Sequence, residues 1–461
     1  MARTADRSFR WGTDDDLSPI ETVMWRAERD PALRSTIVGV ELLDRAPERE
    51  RLRAAHEWAS RAVPRFRRRV DDPGIGTARW VSDERFDLDH HLRWESLPDG
   101  ATLDDALDAA ARIAMAPFDR ARPPWEAILL EGLPDGAAAY VLKLHHSSTD
   151  GIGIVQLLDA MHSRTVEPTT DRPELPLPAV IRPRGRVRTA ARLGASDARR
   201  ALSLASSAVG ALRRPASFVR DASTAVTSAR RVLGDPPAPP SPLLAERDLT
   251  WRFVAHEMPF KALRDAGRVA GGTVNDAYLA ALLGTFARYH EAHGSPVPAI
   301  PIAIPVSVRK DDAPAGGNQF AAARMAGPLD EPDPVRRMQA IGALVRAARH
   351  DPALDVLSHV TPVMARLPAP VVARMLGPAM RGTDLQASNV PGIREPVYLA
   401  GARVERLYPY APLPGAAAMI TLVSHGDRAC VGANLDSAAV ADVPLFRRSL
   451  VEAFDEVLAV A

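Results

Sequence analysis

Two histidines, an aspartate and a glycine fall within the seven residues His145-His146-Ser147-Ser148-Thr149-Asp150-Gly151. An imidazole with an unperturbed pKa near ~6.5 can take a proton from a hydroxyl at neutral pH, so this run can supply a general base. The apolar run Ala139-Tyr140-Val141-Leu142-Lys143-Leu144 stands before it and Ile154-Val155-Gln156-Leu157-Leu158 after it, which predicts a strand, a turn and a helix. Side chains alternate along a strand, so the two histidines are expected to face opposite ways and only one to enter a given cleft. Asp150 is expected to pair with an arginine and fix the turn. Gly151 is expected to admit a close approach of backbone or ligand. Two packed or solvated imidazoles are the structural alternative. A metal is not expected, because adjacent histidines on opposite faces chelate poorly and neither a His-Glu-x-x-His run nor paired cysteines are present. A serine hydrolase is disfavoured by the lack of a Gly-x-Ser-x-Gly elbow.

The turn needs a scaffold, and 461 residues at 46% apolar content exceed what one core normally holds. Two α/β domains are predicted, over residues 1–165 and 246–461, joined by a Pro- and Arg-rich region over 166–245. Strands are expected at 36–43, 125–131 and 139–144, the last two joined by the turn Leu133-Pro134-Asp135-Gly136. The second half is expected to supply strands at 251–258, 299–306, 416–423 and 429–435, a hairpin at Ser424-His425-Gly426-Asp427 and a terminal helix from about residue 444. No internal sequence repeat is visible.

The net charge of +1 conceals a basic block of twelve arginines against three aspartates between residues 181 and 235. Helices expected at 190–212 and 218–233 could lie on an anionic membrane or lipid-droplet surface, or pack as crossover helices with a solvated basic face. Nucleic acid is not expected, since no binding motif or aromatic interleaving accompanies the charge. No apolar run reaches the ~18 residues of a spanning helix, and residues 1–16 lack a secretory apolar stretch. Cys430 is the single cysteine, which forbids an internal disulfide and fits a cytoplasmic location. Arginine in place of lysine, at all but Lys143, Lys261 and Lys310, reads as codon bias.

Further motifs stand in order along the chain. They are Leu17-Ser18-Pro19, Pro64-Arg65-Phe66-Arg67-Arg68-Arg69, Phe86-Asp87-Leu88-Asp89-His90-His91 and Pro117-Phe118-Asp119-Arg120-Ala121-Arg122-Pro123-Pro124-Trp125-Glu126. Thr273-Val274-Asn275-Asp276, Pro305-Val306-Ser307-Val308-Arg309, Gly317-Asn318-Gln319, Ser388-Asn389-Val390-Pro391-Gly392 and Tyr398-Leu399-Ala400-Gly401-Ala402 follow. Several have structural explanations. Ser18 and Glu21 form a capping box with proline at the first helical position. Thr273 can cap a helix ending near Tyr289, with Asn275 and Asp276 in its first turn. Ser388-Asn389-Val390-Pro391-Gly392 reads as a turn, 86–90 as an alternating edge segment, and Asp119-Arg120 as a local ion pair.

Taken in this order, the set resembles the bacterial wax ester synthase/diacylglycerol acyltransferase family, within the HHxxxDG acyltransferase superfamily, nearly end to end. The resemblance implies the fold of the CoA-dependent acyltransferases, as in chloramphenicol acetyltransferase: two α/β domains with mixed sheets and a tunnel between them. It implies that His146, the second histidine, is the general base at the tunnel's midpoint, with His145, Asp150 and Gly151 in the motif. Asn275, Asp276, Ser388 and Asn389 are implied to wall the site, and Ser388, Asn389 and Asn275 to be candidate oxyanion donors. Acyl-CoA is then a co-substrate, no other cofactor is implied, and diacylglycerol or a long-chain alcohol is the acceptor. Many family members carry a Leu-Asn pair after the linker, where this chain reads Ser241-Pro242-Leu243-Leu244. An acyltransferase for a specialised metabolite or glycolipid, a non-catalytic lipid-binding protein and a condensation module are the alternatives.

Overall fold

A computed structural model describes residues 11–74, 76–167, 174–184, 236–307, 320–349, 361–362 and 364–461. Two six-stranded mixed sheets organise the described chain. The first is built from β1 (Thr36–Leu43), β4 (Leu92–Ser96), β5 (Trp125–Glu131), β6 (Ala138–His145), β11 (Tyr398–Leu399) and β12 (Ala402–Tyr410), in the order β11-β12-β1-β6-β5-β4. Only β4 and β5 pair in parallel. The strand β6 is buried at every position, which is why its sequence reads as a near-continuous apolar run. Its one lysine, Lys143, is buried with its ammonium donating to the Ala116 carbonyl at 2.8 Å and to Glu126 at 3.0 Å. A small hairpin of β2 (Arg68–Asp71) and β3 (Arg79–Ser82) stands apart.

The second sheet comprises β7 (Trp251–Pro259), β8 (Ala299–Ser307), β9 (Phe320–Pro328), β10 (Leu385–Val390), β13 (Ala418–His425) and β14 (Arg428–Asp436). Its order is β7-β14-β13-β10-β8-β9, with β10 parallel to both β8 and β13. The C-terminal half thus gives β11 and β12 to the first sheet. A Cβ at Gly432 of β14 would lie 2.1 Å from the Pro409 carbonyl of β12, so glycine permits the two backbones to touch there. Met419, Val423 and Cys430 of the second sheet belong to the same apolar core as the first sheet. The helices are α1 (Pro19–Ala27), α2 (Arg49–Ala62), α3 (Leu88–His91), α4 (Leu103–Met115), α5 (Gly151–Met161), α6 (Phe260–Val269), α7 (Val274–Ala292), α8 (Pro334–Arg349), α9 (Ala369–Arg381) and α10 (Val443–Leu458).

All the strands expected from sequence are present: β1 and β5 with the expected ends, β6, β7, β8 and β14 longer by one residue at one or both ends, and β13 shifted by two. Two motifs differ. Residues 86–90 do not form an alternating edge segment: Asp87 accepts from the Asp89 amide at 3.1 Å and caps α3, because a short acidic side chain competes for its own backbone. Ser388-Asn389-Val390 is not a turn but the end of β10, an interior strand, and the chain leaves the sheet only at Pro391. Arg120 donates to the Trp25 carbonyl at 2.9 Å and lies over the Trp25 ring, while the Asp119 carboxylate accepts from the Ala121 amide, so the expected Asp119-Arg120 pair is replaced by these partners. The helices expected at 190–212 and 218–233, together with Arg309 and Gly317-Asn318-Gln319, lie outside the described residues. Nearer the start of the interdomain region, Ile181 hydrogen bonds to Ser82 and Arg184 pairs with Asp16, which lays residues 181–184 on the N-terminal half.

Candidate active site

The register of β1 against β6 pairs Thr36 with His145, so His145 is the last strand residue. The His146 amide then donates to the Ser35 carbonyl at 2.6 Å, and His146–Ser148 close one 3-10 turn before α5 begins. Asp150 is the N-cap of α5, its carboxylate accepting from the Gly153 amide at 2.9 Å. The expected strand, turn and helix are all here. Arg65 donates to the Ser148 carbonyl at 2.6 Å and so supports the turn through its backbone. From the other side the Trp11 indole donates to the Gly153 carbonyl at 2.8 Å.

The two imidazoles differ in burial. His145 is fully buried, edge-on to Trp25 at 4.9 Å between ring centres, with its Nε2 in contact with the Glu28 carboxylate. Its Nδ1 accepts the Ser147 amide at 3.0 Å and lies 2.7 Å from the Ser147 hydroxyl. His146 is half-buried. Burial alone raises the Glu28 carboxyl, but its contact with His145, followed by the charges of Arg120 and Arg34, outweighs it and holds that carboxyl below its usual range.

Gly151 brings the two halves together. A Cβ there would stand 2.9 Å from Val390 Cγ2, so the start of α5 sits directly on the end of β10. Alternation along β10 puts Ser388 on the Val390 face, toward α5, and Asn389 on the opposite face with Leu385 and Ala387. On that second face Asn389 and Asn275 line one cavity of about 60 Å³ with Ile304, Pro305, Ala323, Met325, Val345 and Arg349. Ser388 and Asn389 therefore serve different spaces. Asp276 is structural: it closes a capping box, its carboxylate accepting the Thr273 amide at 2.8 Å and hydroxyl at 2.9 Å. Among the described residues no group of three or more His, Cys, Asp or Glu could hold a metal ion.

Three of the other motifs serve as scaffold for this loop. Trp125 stacks on Phe66 at 4.4 Å and on His91 at 4.6 Å, and its indole donates to the Phe66 carbonyl at 2.9 Å. One stack thereby joins three of the sequence motifs and sets Arg65 beneath the loop. Ser241, in the stretch that departs from the family pattern, donates its amide to Asp384 at 2.7 Å and its hydroxyl lies 2.7 Å from His290 Nε2. Glu28, Ser35 and Trp11 were not expected from sequence. They lie more than a hundred residues from the loop and carry no local pattern that marks them.

Solved structures share this architecture. A wax ester synthase/diacylglycerol acyltransferase from Marinobacter aquaeolei VT8 superposes with a TM-score of 0.66 at 21% identity, over 96% of this chain and 98% of that one. The first condensation domain of the calcium-dependent antibiotic synthetase gives 0.62 at 17% identity, over 98% and 96%. These likenesses define the class as a two-domain α/β fold with mixed sheets. The chain itself belongs to the wax ester synthase/diacylglycerol acyltransferase family: the model of the family's catalytic domain matches residues 17–278 and that of its C-terminal domain residues 316–457. A Mycobacterium tuberculosis protein, provisionally named a diacylglycerol O-acyltransferase, is 40% identical over 97% of this chain and 92% of its own length. A second from the same organism is 31% identical over 82% of each.

Proposed function

We propose that the protein transfers a long-chain acyl group from acyl-CoA to the hydroxyl of diacylglycerol or a long-chain alcohol, with His146 as general base. The observation that carries this reading is the division within the histidine pair: His145 is fully buried against Glu28 and Ser147, whereas His146 is half-buried in the turn leading to α5, whose first residue sits on Val390 of the second sheet. His146 takes the proton of the acceptor hydroxyl, and the oxygen attacks the thioester carbonyl carbon. The tetrahedral intermediate collapses with cleavage of the carbon–sulfur bond, and the imidazolium returns its proton to the departing thiolate, giving ester and free CoA. No acyl-enzyme forms, and neither a metal nor a second cofactor takes part. Residues 1–165 supply the base, 246–461 supply Ser388 on the face turned toward α5, and 166–245 connect them.

The acceptor is a lipid, so contact with a membrane or droplet surface from the cytoplasm completes the reading. No described helix is long and apolar enough to cross a membrane. The contact proposed is peripheral, supported by α9, which exposes Val371 and Met375 one turn apart beside Arg374. Vesicles containing anionic phospholipid should co-float the protein at low salt and release it at high salt, and co-flotation that ignores both salt and lipid charge removes this part.

Free-thiol release from palmitoyl-CoA, measured with hexadecanol or dioleoylglycerol and with the lipid products identified, tests the activity. Acceptor-dependent release with ester formation, lost by roughly 10³-fold or more in His146→Ala, is expected. Near-normal turnover in that variant would overturn the general-base assignment. Failure of both acceptors in the wild type would redirect the search to specialised-metabolite hydroxyls.

A further inference from the structure

A backbone amide can only donate, so the Ser147 N–H bond at 3.0 Å requires His145 Nδ1 to be unprotonated. The neutral ring must then carry its hydrogen on Nε2, and that atom faces the Glu28 carboxylate. Glu28 is itself held at the C-cap of α1, with Trp25 one turn earlier edge-on to the same imidazole and Arg120 over the Trp25 ring. We propose that Glu28 is a positioning residue for acyl transfer: it locks His145 in the Nε2–H tautomer, so that Nδ1 stays an acceptor for the Ser147 amide and the backbone carrying His146 stays in place. The assignment rests on the acyltransferase reading with His146 as base.

The alternative tautomer would turn an N–H against the Ser147 N–H, and the 3-10 turn that follows His145 would lose its anchor. The His146 amide is bound separately to Ser35 and the Ser148 carbonyl to Arg65, so the turn would loosen in its middle while its ends remained tied. That loss should appear in orientation of the base, with substrate binding spared. The negative charge is also what Arg34 and Arg120 meet, and Glu28→Gln keeps an oxygen acceptor for Nε2–H while removing that charge.

Three variants separate these effects. Glu28→Ala should lower kcat by about 10²-fold with little change in KM for acyl-CoA, the size that a small misplacement of a catalytic group produces. Glu28→Gln should recover kcat to within about fivefold of wild type, and Ser147→Ala, which keeps the amide, should stay in the same range. Hydrogen–deuterium exchange over residues 145–150, read by mass spectrometry, should rise in Glu28→Ala and stay protected in Glu28→Gln. Wild-type kcat in Glu28→Ala, equal losses in Glu28→Gln and Glu28→Ala, or a Ser147→Ala defect as large as that of Glu28→Ala would each overturn the proposal. If Glu28→Ala does not fold, Glu28→Gln decides: wild-type exchange protection over residues 145–150 with kcat within about fivefold supports the proposal, and loss of either overturns it. A wild type that releases no thiol with either acceptor counts against the lipid acceptor, whereas the exchange experiment tests the tautomer lock without turnover.

Discussion

His145 and His146 are neighbours with different environments, one walled in by Trp25, Glu28 and Ser147 and the other half-buried in the turn that leads to α5. Identical side chains acquire different surroundings because His145 ends the buried strand β6 while His146 opens the turn that follows it. Asp150 differs from both. It binds its own helix through the Gly153 amide, so its contribution is to the shape of the turn. Asp150→Ala should cost about 1 kcal/mol in urea unfolding, the usual loss for an N-cap, and should also lower turnover. Asp150→Asn, which can cap equally well, should restore stability. Equal stability of all three proteins would show that the cap contributes nothing.

The helix α7 and the strand β10 each split a short motif between structure and site. At the start of α7, Thr273 and Asp276 close the capping box while Asn275, between them, lines the cavity shared with Asn389. Thr273→Ala should destabilise by about 1 kcal/mol with turnover retained at permissive temperature. Asn275→Ala should leave the unfolding midpoint unchanged and reduce kcat/KM. The reverse pattern would assign Asn275 to the helix start and empty the cavity of a substrate role. In β10 the separation follows from the two-residue period of a strand: Ser388 and Val390 face α5, and Asn389 faces α7 and α8.

For the molecule as a whole, buried titratable groups set how stability follows pH. Burial pushes His56 and His91 down to about 4, partly offset by their hydrogen bonds to the Leu52 and Trp125 carbonyls. A depressed histidine binds fewer protons folded than unfolded, so its contribution is complete above pH ~6.5 and is lost as pH falls toward 4, about 3 kcal/mol each. Asp384 runs the other way. Burial raises its carboxyl to about 6 despite the Ser241 amide and Arg247, so it penalises the fold above pH 6 and ceases to do so on acidification. Two histidines outweigh one aspartate, and net stability should fall between pH 6.5 and 4. Asp384→Asn, which keeps an acceptor for Ser241, should be more stable than wild type at pH 7.5 and lose that advantage near pH 4. A pH-independent difference would show that Asp384 does not titrate on folding.

The strand β6 and the helix after it, the capping box at Ser18, the Thr273 cap and the strand-to-helix setting of His146 were legible in the chain alone, because caps and hydrophobic period are local properties. The family was legible too, because an ordered set of short motifs survives where overall similarity is low. Composition misled at Ser388-Asn389-Val390, where turn-forming residues occupy an interior strand whose polar side chains point to the sheet junction and to a cavity. Pairing decided what period could not. The passage of β11 and β12 into the first sheet, the seating of Gly151 on Val390, and the roles of Glu28, Ser35 and Arg65 all join residues 80 or more positions apart. Such contacts are fixed by how two sheets share a core, a nonlocal balance of burial and hydrogen bonding that no stretch of sequence contains.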